Sequence, residues 1–544
     1  MHSHWATLDR RQLIALATGG LAAMALPGAA QAMFAQGFTH GVASGEPTST
    51  SVLLWTRYAA LHSEDLQVEV AETSDFAKVV LGGLARVGDE SDFCARFMAS
   101  GLKPGRWYFY RFIAPDGSMS QIGRTRTLPE GPVAAFTLGL FSCSNLPFGH
   151  FNAYGHAAAR GDLDLVVHVG DYLYEYPIGT YPSLRQAVPG RLIQPDHEMV
   201  ALADYRLRYA AYRSDPDLQR LHQLYPVISQ WDDHELTNDA WMGGAENHQA
   251  DTEGEWAVRK DVAERVYQEW MPVSRARWRA YDIGDLATLF LPETRISGRS
   301  QPFDLNAVVA DAANPAGALK SFAETTWRSA DQHLLGAEQE AWLTSALAAS
   351  KRSGKVWQLC AQQITMGTMR FPAEAASWFP VDTPDFVRRR VATAQLAGQA
   401  GLPLNMDAWD GYPAARARLL DAVRGADSDF VVLSGDSHNG WAFDLDRDGQ
   451  AVGVEFAGHS VTSPGFESNT RAHEPVRVAA LRAAATGLAW ANTQDRGYMS
   501  VRLTPEQVTG EWHFLDTIRT RSLAMKGSHR MTVRRGMRRF DAMA

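Results

Sequence analysis

Two styles of hydrophobic patterning divide the chain. From Phe38 to about Thr127, short runs alternate apolar and polar positions, "SVLLWTRY", "LQVEVAE", "RFMAS" and "RWYFYRFIAP", and turn residues such as "KPG" and "PDGS" separate them. A period of two places one side chain in a core and the next in solvent, so these runs predict half-buried strands. About ninety residues of them predict an antiparallel β-sandwich. From Ala134 onward the runs "AAFTLGLFSCSN", "LDLVVHVGDYLYE", "LYPVISQWDDHE", "GKVWQLCAQQITMG" and "SDFVVLSGDSHNGWAFDL" are continuously apolar and end in polar residues. That is the pattern of strands buried on both faces. "WAVRKDVAERVYQEW" and "QEAWLTSALAAS" between them predict helices, and "WMGGAENHQADTEGEW" predicts a loop. The sum is a β-sandwich followed by a larger α/β unit, whose sites are expected just beyond the C-terminal ends of its strands.

At 544 residues the chain exceeds what one core organises, so more than one domain is expected. The predicted divisions are 1–32, 38–128, 134–517 and 518–544. A hydrophobic fraction of 45% with 21% charged residues is that of a globular protein, and a net charge of -9 gives no electrostatic reason to bind nucleic acid. The first segment, "DRRQLIALATGGLAAMALPGAAQA", places Arg10 and Arg11 before a short apolar run and ends in Ala30-Gln31-Ala32. It resembles a twin-arginine export signal, which implies the export machinery as partner, a mature chain beginning near Met33 and a periplasmic or secreted protein. Gly19, Gly20 and Pro27 argue against a retained anchor, and no later stretch is apolar enough to cross a bilayer. Three cysteines, at 94, 143 and 360, are an odd number and too few for a disulfide scaffold. The basic terminus "RTRSLAMKGSHRMTVRRGMRR" reads either as a cover folded over an anion-binding centre or as a solvated end.

The strand tips carry the candidate chemistry. Cys143, Asp171 with Tyr174, Asp233, and Asp436 with His438 offer thiolate, carboxylate, phenolate and imidazole. In Asp-x-x-Tyr after a tight Gly turn, positions i and i+3 share a helical face, and in Asp-x-His on extended chain, positions i and i+2 point the same way. Each residue alone has an ordinary reading: an Asp as a helix N-cap, a His or Tyr as a packing residue, a Cys as a small buried hydrophobe. Four separated tips carrying such groups in the same sense point to one metal centre.

The motifs "FSCSN", "GDYLYE", "WDDHE" and "GDSHNGW", in this order after "HGVASGEPTSTSVLLWTR", resemble those of PhoD-type alkaline phosphatases and phosphodiesterases of the metallophosphatase superfamily. The resemblance runs from Phe38 to about Thr517 and includes "GGAENHQADTEGEW" and "EFAGHSVTSPG". It implies a four-layer α/β/β/α fold after a fibronectin type III-like sandwich, and hydrolysis of phosphomonoesters or phosphodiesters by a metal-activated water. A phospholipase D-like phosphodiesterase of the same family is the alternative. It also implies Fe³⁺ and Ca²⁺, with Cys143, Asp171, Tyr174, Asp233, Asp436 and His438 as ligands. The related purple acid phosphatases have an Asp, an Asn and a His where this chain has Cys143, Asp233 and Asp436. Carboxylates at 233 and 436, in place of the amide and the imidazole, favour a hard ion such as Ca²⁺ at the second position. Gln362 or Gln363 would supply a further ligand. His234 would donate to phosphoryl or leaving oxygens, Asn238 would bond an equatorial oxygen, Arg295 would clamp the phosphate, the remaining acids would orient or cap, and Trp231 and Trp241 would wall the site.

Two other functions compete. Gly-Asp-Ser in "SGDSHNGW" also occurs in serine esterases and would make Ser437 a nucleophile, although that block lies late in this chain and no Asp-x-x-His partner follows it. An exported phosphate-binding protein would use the same ligands without turnover. Replacing both Arg10 and Arg11 with Lys is expected to block export, because the twin-arginine route reads that pair; mature protein appearing normally outside the cytoplasm would contradict the signal assignment.

Overall fold

The computed structural model describes residues 36–468 and 470–542, so the expected export signal lies outside the described residues. Among them, nine strands form the larger sheet, in the order Met525–Arg534, Gln507–Leu515, Gly497–Leu503, Phe136–Phe141, Leu165–His168, Pro226–Ser229, Gly37–Gly45, Ser51–Ala59 and Cys94–Ser100. Its middle, from Phe136–Phe141 to Gly37–Gly45, is parallel, and both flanks are antiparallel. A seven-stranded sheet runs Arg279–Ile283, Ala287–Leu291, Trp357–Ala361, Phe430–Ser434, Gln450–Ala457, Gly440–Arg447 and Leu488–Asn492. Leu138, Leu140, Val167 and Ile228 of the first sheet meet Leu289, Leu359 and Val431 of the second in one buried core. Burial on both faces is what the continuous apolar runs require.

Helices close the outer faces. Leu202–Arg213 and Trp256–Trp270 cover the larger sheet, while Ala337–Arg352 and Pro413–Gly425 cover the smaller. Trp256–Trp270 buries Trp256, Ala263, Val266, Tyr267 and Trp270 along one stripe, the spacing that makes "WAVRKDVAERVYQEW" helical. Ala337–Arg352 carries Glu338 and Glu340 in its first turn and Lys351 and Arg352 in its last, charges that complement the helix dipole. The result is the expected four-layer α/β/β/α arrangement.

The β-rich N-terminal region is a sandwich, but it is continuous with the larger α/β unit. A four-stranded sheet, Val79–Val87, Glu64–Ala71, Trp107–Ile113 and Gly123–Arg126, packs through Val68, Val70, Tyr110 and Phe112 onto Val42, Val52 and Leu54. The strands that it covers are the end of the nine-stranded sheet, joined there by parallel pairing of Ser44 with Pro226 and Gly45 with Val227. Glu64–Ala71 alternates buried and exposed positions, whereas seven consecutive residues of Ser51–Ala59 are buried. Trp55 explains the difference: it points away from the sandwich core and donates from Nε1 to the Glu269 carbonyl at 2.8 Å.

The basic terminus is not a solvated end: Thr517, Ile518 and Arg519 line a cavity with Thr462 and Pro464, and the rest is built into the body. Met525–Arg534 is the edge strand of the large sheet, paired antiparallel with Gln507–Leu515, so a division after 517 cuts a hairpin. The His529 ring stacks on Trp490 with centroids 4.3 Å apart, and Phe540 meets Phe456 at 4.9 Å. Its cations pair with acids of the body, Lys526 with Asp495 at 2.6 Å, Arg521 with Asp217 at 2.8 Å and Arg539 with Asp446 at 2.6 Å. Charge on an edge strand discourages pairing with another molecule, and it also masks the alternation that would mark this segment as a strand. Truncation after Thr517 is therefore expected to lower the denaturation midpoint and promote aggregation, at a cost of several kcal/mol or more, since Met531 and Val533 are buried and losing one large buried aliphatic side chain alone costs about 2–5 kcal/mol. An unchanged midpoint with altered turnover of bulky esters alone would instead support the cover reading.

Candidate metal centre

Strands Phe136–Phe141, Leu165–His168 and Pro226–Ser229 are parallel neighbours, so their C-terminal ends share one edge. The end of Phe430–Ser434 meets them from the other sheet: a Cβ on Gly435 would lie 2.6 Å from Ser142. Three overlapping groups of donor atoms result, each within 4.8 Å: Cys143, Asp171 and His438; Asp171, Asp233 and His234; Asp232, Asp233 and Asp436. Tyr174 joins the first group, donating to Asp171 Oδ2 at 2.9 Å and lying 3.2 Å from His438 Nε2. The six residues singled out as ligands thus come together from four tips, with Asp171 common to two groups.

Local backbone makes this convergence possible. Cys143, Asp171, Asp436 and His438 all have left-handed φ, from 54° to 60°. Such conformations cost about 1–3 kcal/mol each in non-glycine residues and persist where the surroundings over-determine them. Gly170 has φ 98°, and a Cβ there would stand 2.3 Å from the Asp232 Cβ, so only glycine lets the two acidic turns touch. Glu235 ties those turns together, accepting from the backbone N–H groups of Asp171 at 3.1 Å, Tyr172 at 2.6 Å and Asp232 at 2.8 Å. His438 Nδ1 donates to the Pro464 carbonyl at 2.9 Å, which leaves Nε2 with its lone pair turned toward the group. His234 Nδ1 binds the buried Glu175 carboxylate at 2.7 Å.

The electrostatics fit a bound cation. Asp171 Oδ1 and Asp232 Oδ2 are buried without a hydrogen-bond partner, an expensive state for carboxylate oxygens. Burial pushes the Asp436 carboxyl up to about 8; Arg295 opposes that, while Asp407, Asp233 and Asp171 add to it. Burial also raises the Cys143 thiol well above its usual range, and Asp171 raises it further. His234 is pulled the other way: burial disfavours its charge, but Asp233, Glu175 and Asp171 outweigh burial and hold it protonated. A multivalent cation among these oxygens, sulfur and nitrogen would relieve the repulsion and deprotonate the thiol.

Several expected roles do not match the geometry. Arg295 is wholly buried and directed at Asp232, Asp407, Asp436 and Asp233, so it is an internal counter-cation and not a clamp on a phosphate. Trp231 is core, edge-on to Tyr267 and donating to Glu293 at 3.0 Å, and Trp241 lies on an outlying hairpin against Gly244. The walls are instead Tyr174, Tyr176 and Tyr181, the first two with centroids 4.2 and 5.4 Å from the His234 ring. Asn238 donates from Nδ2 to Glu246 at 2.8 Å. The Gln362 amide is engaged by Trp409 and Ile364, and Gln363 accepts from Thr294 at 2.5 Å with its Nε2, a donor, left free. Gln362 therefore has no end to spare, while Gln363 keeps one buried amide end without a partner. The Ser437 hydroxyl accepts from Trp441 Nε1 at 2.7 Å, and the one histidine beside it is turned to Pro464 and Tyr174. Sequence reasoning missed Glu175, visible at the end of "GDYLYE" but given no role, and Asp407, which lies on no strand and had no signal.

Comparison with known proteins agrees with this geometry. The family model described as PhoD-like phosphatase matches residues 137–512, and that of the PhoD-like phosphatase N-terminal domain matches 23–129. Alkaline phosphatase D of Bacillus subtilis (strain 168) is 32% identical over 461 residues, 80% of this chain and 71% of that protein. A solved structure described as "Structure of PhoD" superposes with a TM-score of 0.75 at 27% identity, over 94% of this chain and 92% of that one. Strand order, acidic tips and sequence all lead to the same assignment, and this chain belongs to the PhoD-like phosphatase family.

Proposed function

We propose that this phosphatase hydrolyses phosphomonoesters or phosphodiesters at a mixed centre, with Fe³⁺ held by Cys143, Asp171, Tyr174 and His438 and Ca²⁺ by Asp171, Asp233 and Asp436. The observation that carries the reading is a chain of linked donor groups: Cys143, Asp171 and His438 with Tyr174 beside them at one end, the carboxylates Asp232, Asp233 and Asp436 at the other, and Asp171 and Asp233 adjacent between them. Sulfur and nitrogen donors suit a transition metal, and an all-oxygen set suits Ca²⁺. When bound, such ions polarise phosphoryl oxygens and lower the pKa of coordinated water. Export by the twin-arginine route to the periplasm or beyond is part of the same proposal, since that route carries folded, metal-loaded chains. Among the described residues no helix is long and apolar enough to cross a membrane.

The chain's own groups do the rest. Ser463 donates to the Tyr174 oxygen at 2.7 Å and steadies the phenolate form that a cation would draw out. Asp233 is fixed by two backbone donors, His234 N at 3.0 Å and Asp239 N at 2.7 Å, so both carboxylate oxygens keep their aim. His234, anchored through Nδ1 to Glu175, carries its second proton on Nε2 and delivers it to a phosphoryl or leaving-group oxygen. The tyrosine rings exclude water around that proton. A cavity of about 420 Å³ beside the centre, lined by Thr462, Pro464 and Arg496 among others, has room for the leaving group.

Purified protein is expected to turn over chromogenic phosphate esters, and Asp171→Asn to lose about 10³-fold or more in kcat/KM with an unchanged fold, because it disrupts both cation positions at once. Ser437→Ala should stay within a few-fold of wild type; complete loss there would revive the esterase reading. The metals have an independent optical test. Thiolate and phenolate donation into Fe³⁺ gives visible charge-transfer absorption that Ca²⁺ cannot give, so Tyr174→Phe should bleach or strongly shift the band, and a colourless, iron-free, fully active wild type would refute the ferric assignment.

A further inference from the structure

Arg295 is held in place twice over. Its own turn is rigid without the acids: the Glu293 carboxylate accepts from the backbone N–H groups of Arg295 at 2.6 Å, Ile296 at 3.0 Å and Ser297 at 2.6 Å, and Gln339 brackets Glu293 with bonds of 2.7 and 2.8 Å. From that fixed base the guanidinium reaches four carboxylates on three separate segments. Nε binds Asp232, Nη1 binds Asp407 Oδ2 at 2.6 Å, and Nη2 lies 3.3 Å from Asp436 Oδ1 and 3.6 Å from Asp233 Oδ1. Asp407 is anchored in turn by Arg299, which is also wholly buried.

We infer that Arg295 is a resident cation that holds Asp233 and Asp436 at ligand spacing before any metal arrives, and that the trio Asp232, Asp233 and Asp436 is a guanidinium clasp and not a third metal position. The inference rests on the reading that Asp233 and Asp436 bind a cation. Four carboxylates, Asp232, Asp233, Asp407 and Asp436, surround the two guanidinium groups of Arg295 and Arg299, and Asp171 adjoins Asp233, so acids outnumber the arginines here and would do so more strongly without Arg295. Asp232 shares the trio's spacing with Asp233, and its Oδ1 faces Arg295 Nε directly, so the guanidinium takes the place among the three carboxylates that a cation would otherwise fill. Planar, fork-shaped and permanently charged, an arginine can span these oxygens as a lysine cannot. It is a positioning residue and touches no substrate.

The experiment uses the full mature chain, stripped with chelator and then titrated with Ca²⁺, with melting temperature and bound calcium per chain as readouts. Arg295→Met should lower the melting temperature of the cation-free protein by about 5 °C or more, as loss of one partner from a buried ion cluster does. Loaded with calcium, the variant should melt within about 2 °C of loaded wild type and bind one additional calcium, since the freed trio becomes a site and the ion replaces the lost charge. Arg295→Lys, which keeps the charge but cannot span the four acids, should recover only part of the cation-free loss and bind calcium in the wild-type ratio. A purely structural arginine would instead lower both states equally with no change in calcium, and that result overturns the inference. Should Arg295→Met fail to accumulate, Arg295→Lys decides alone: a loss confined to the cation-free state supports the clasp, and an equal loss in both states refutes it. A wild type that takes up no calcium defeats the ligand reading and the inference with it, whereas calcium uptake by wild type with equal losses in the variants defeats the inference alone.

Discussion

Five carboxylates meet in the interior of this protein, and like charges at such distances repel unless cations stand between them. In water a unit pair at 4 Å interacts by about 1 kcal/mol, but in a protein interior by several times that. Asp171, Asp232, Asp233, Asp407 and Asp436 are all buried or nearly so, and hydrophobic packing alone would not bring them together. The surrounding architecture answers that repulsion. Glu235 pins the first two acidic turns through backbone donors, Arg295 and Arg299 supply internal positive charge, and the remaining deficit defines a place for external cations.

The two sheets explain why the acids arrive at one edge. Parallel strands in the middle of each sheet bury both faces, so their side chains fill the core and only their ends are free for chemistry. The left-handed residues at those ends cost conformational energy that the wide core offsets. The N-terminal strands Gly37–Gly45 and Ser51–Ala59 extend the larger sheet on one side, and Met525–Arg534 ends it on the other. Both additions support the platform from a distance without contributing a ligand.

Much of this was legible in the sequence, and the reasons differ by residue. Cys143, Asp171, Tyr174, Asp233, Asp436 and His438 could be read because each follows a continuous apolar run in the same sense. Buried strands and the helices over them followed from those runs and from helical spacing such as that of Trp256–Trp270, whereas the four layers were implied by the resemblance to PhoD-type phosphatases. Arg295 could be seen but its role could not, because a positive charge that binds phosphate and a buried counter-charge look alike until burial is known. Trp231 failed for the same reason: flanking an acidic motif in sequence does not place a ring beside it in space. Asp407 was invisible, lying outside any periodic element. The basic terminus misled because charge hid a two-residue alternation.

The central claim is that Asp171 stands between two chemically different cation positions. Anomalous diffraction from crystals of the natively exported protein, collected at energies that separate iron from calcium, tests it most directly. An iron peak is expected within bonding distance of Cys143, Tyr174 and His438, and a calcium peak at Asp233 and Asp436, with Asp171 bridging them. A single peak, or two of the same element away from Asp171, would contradict it.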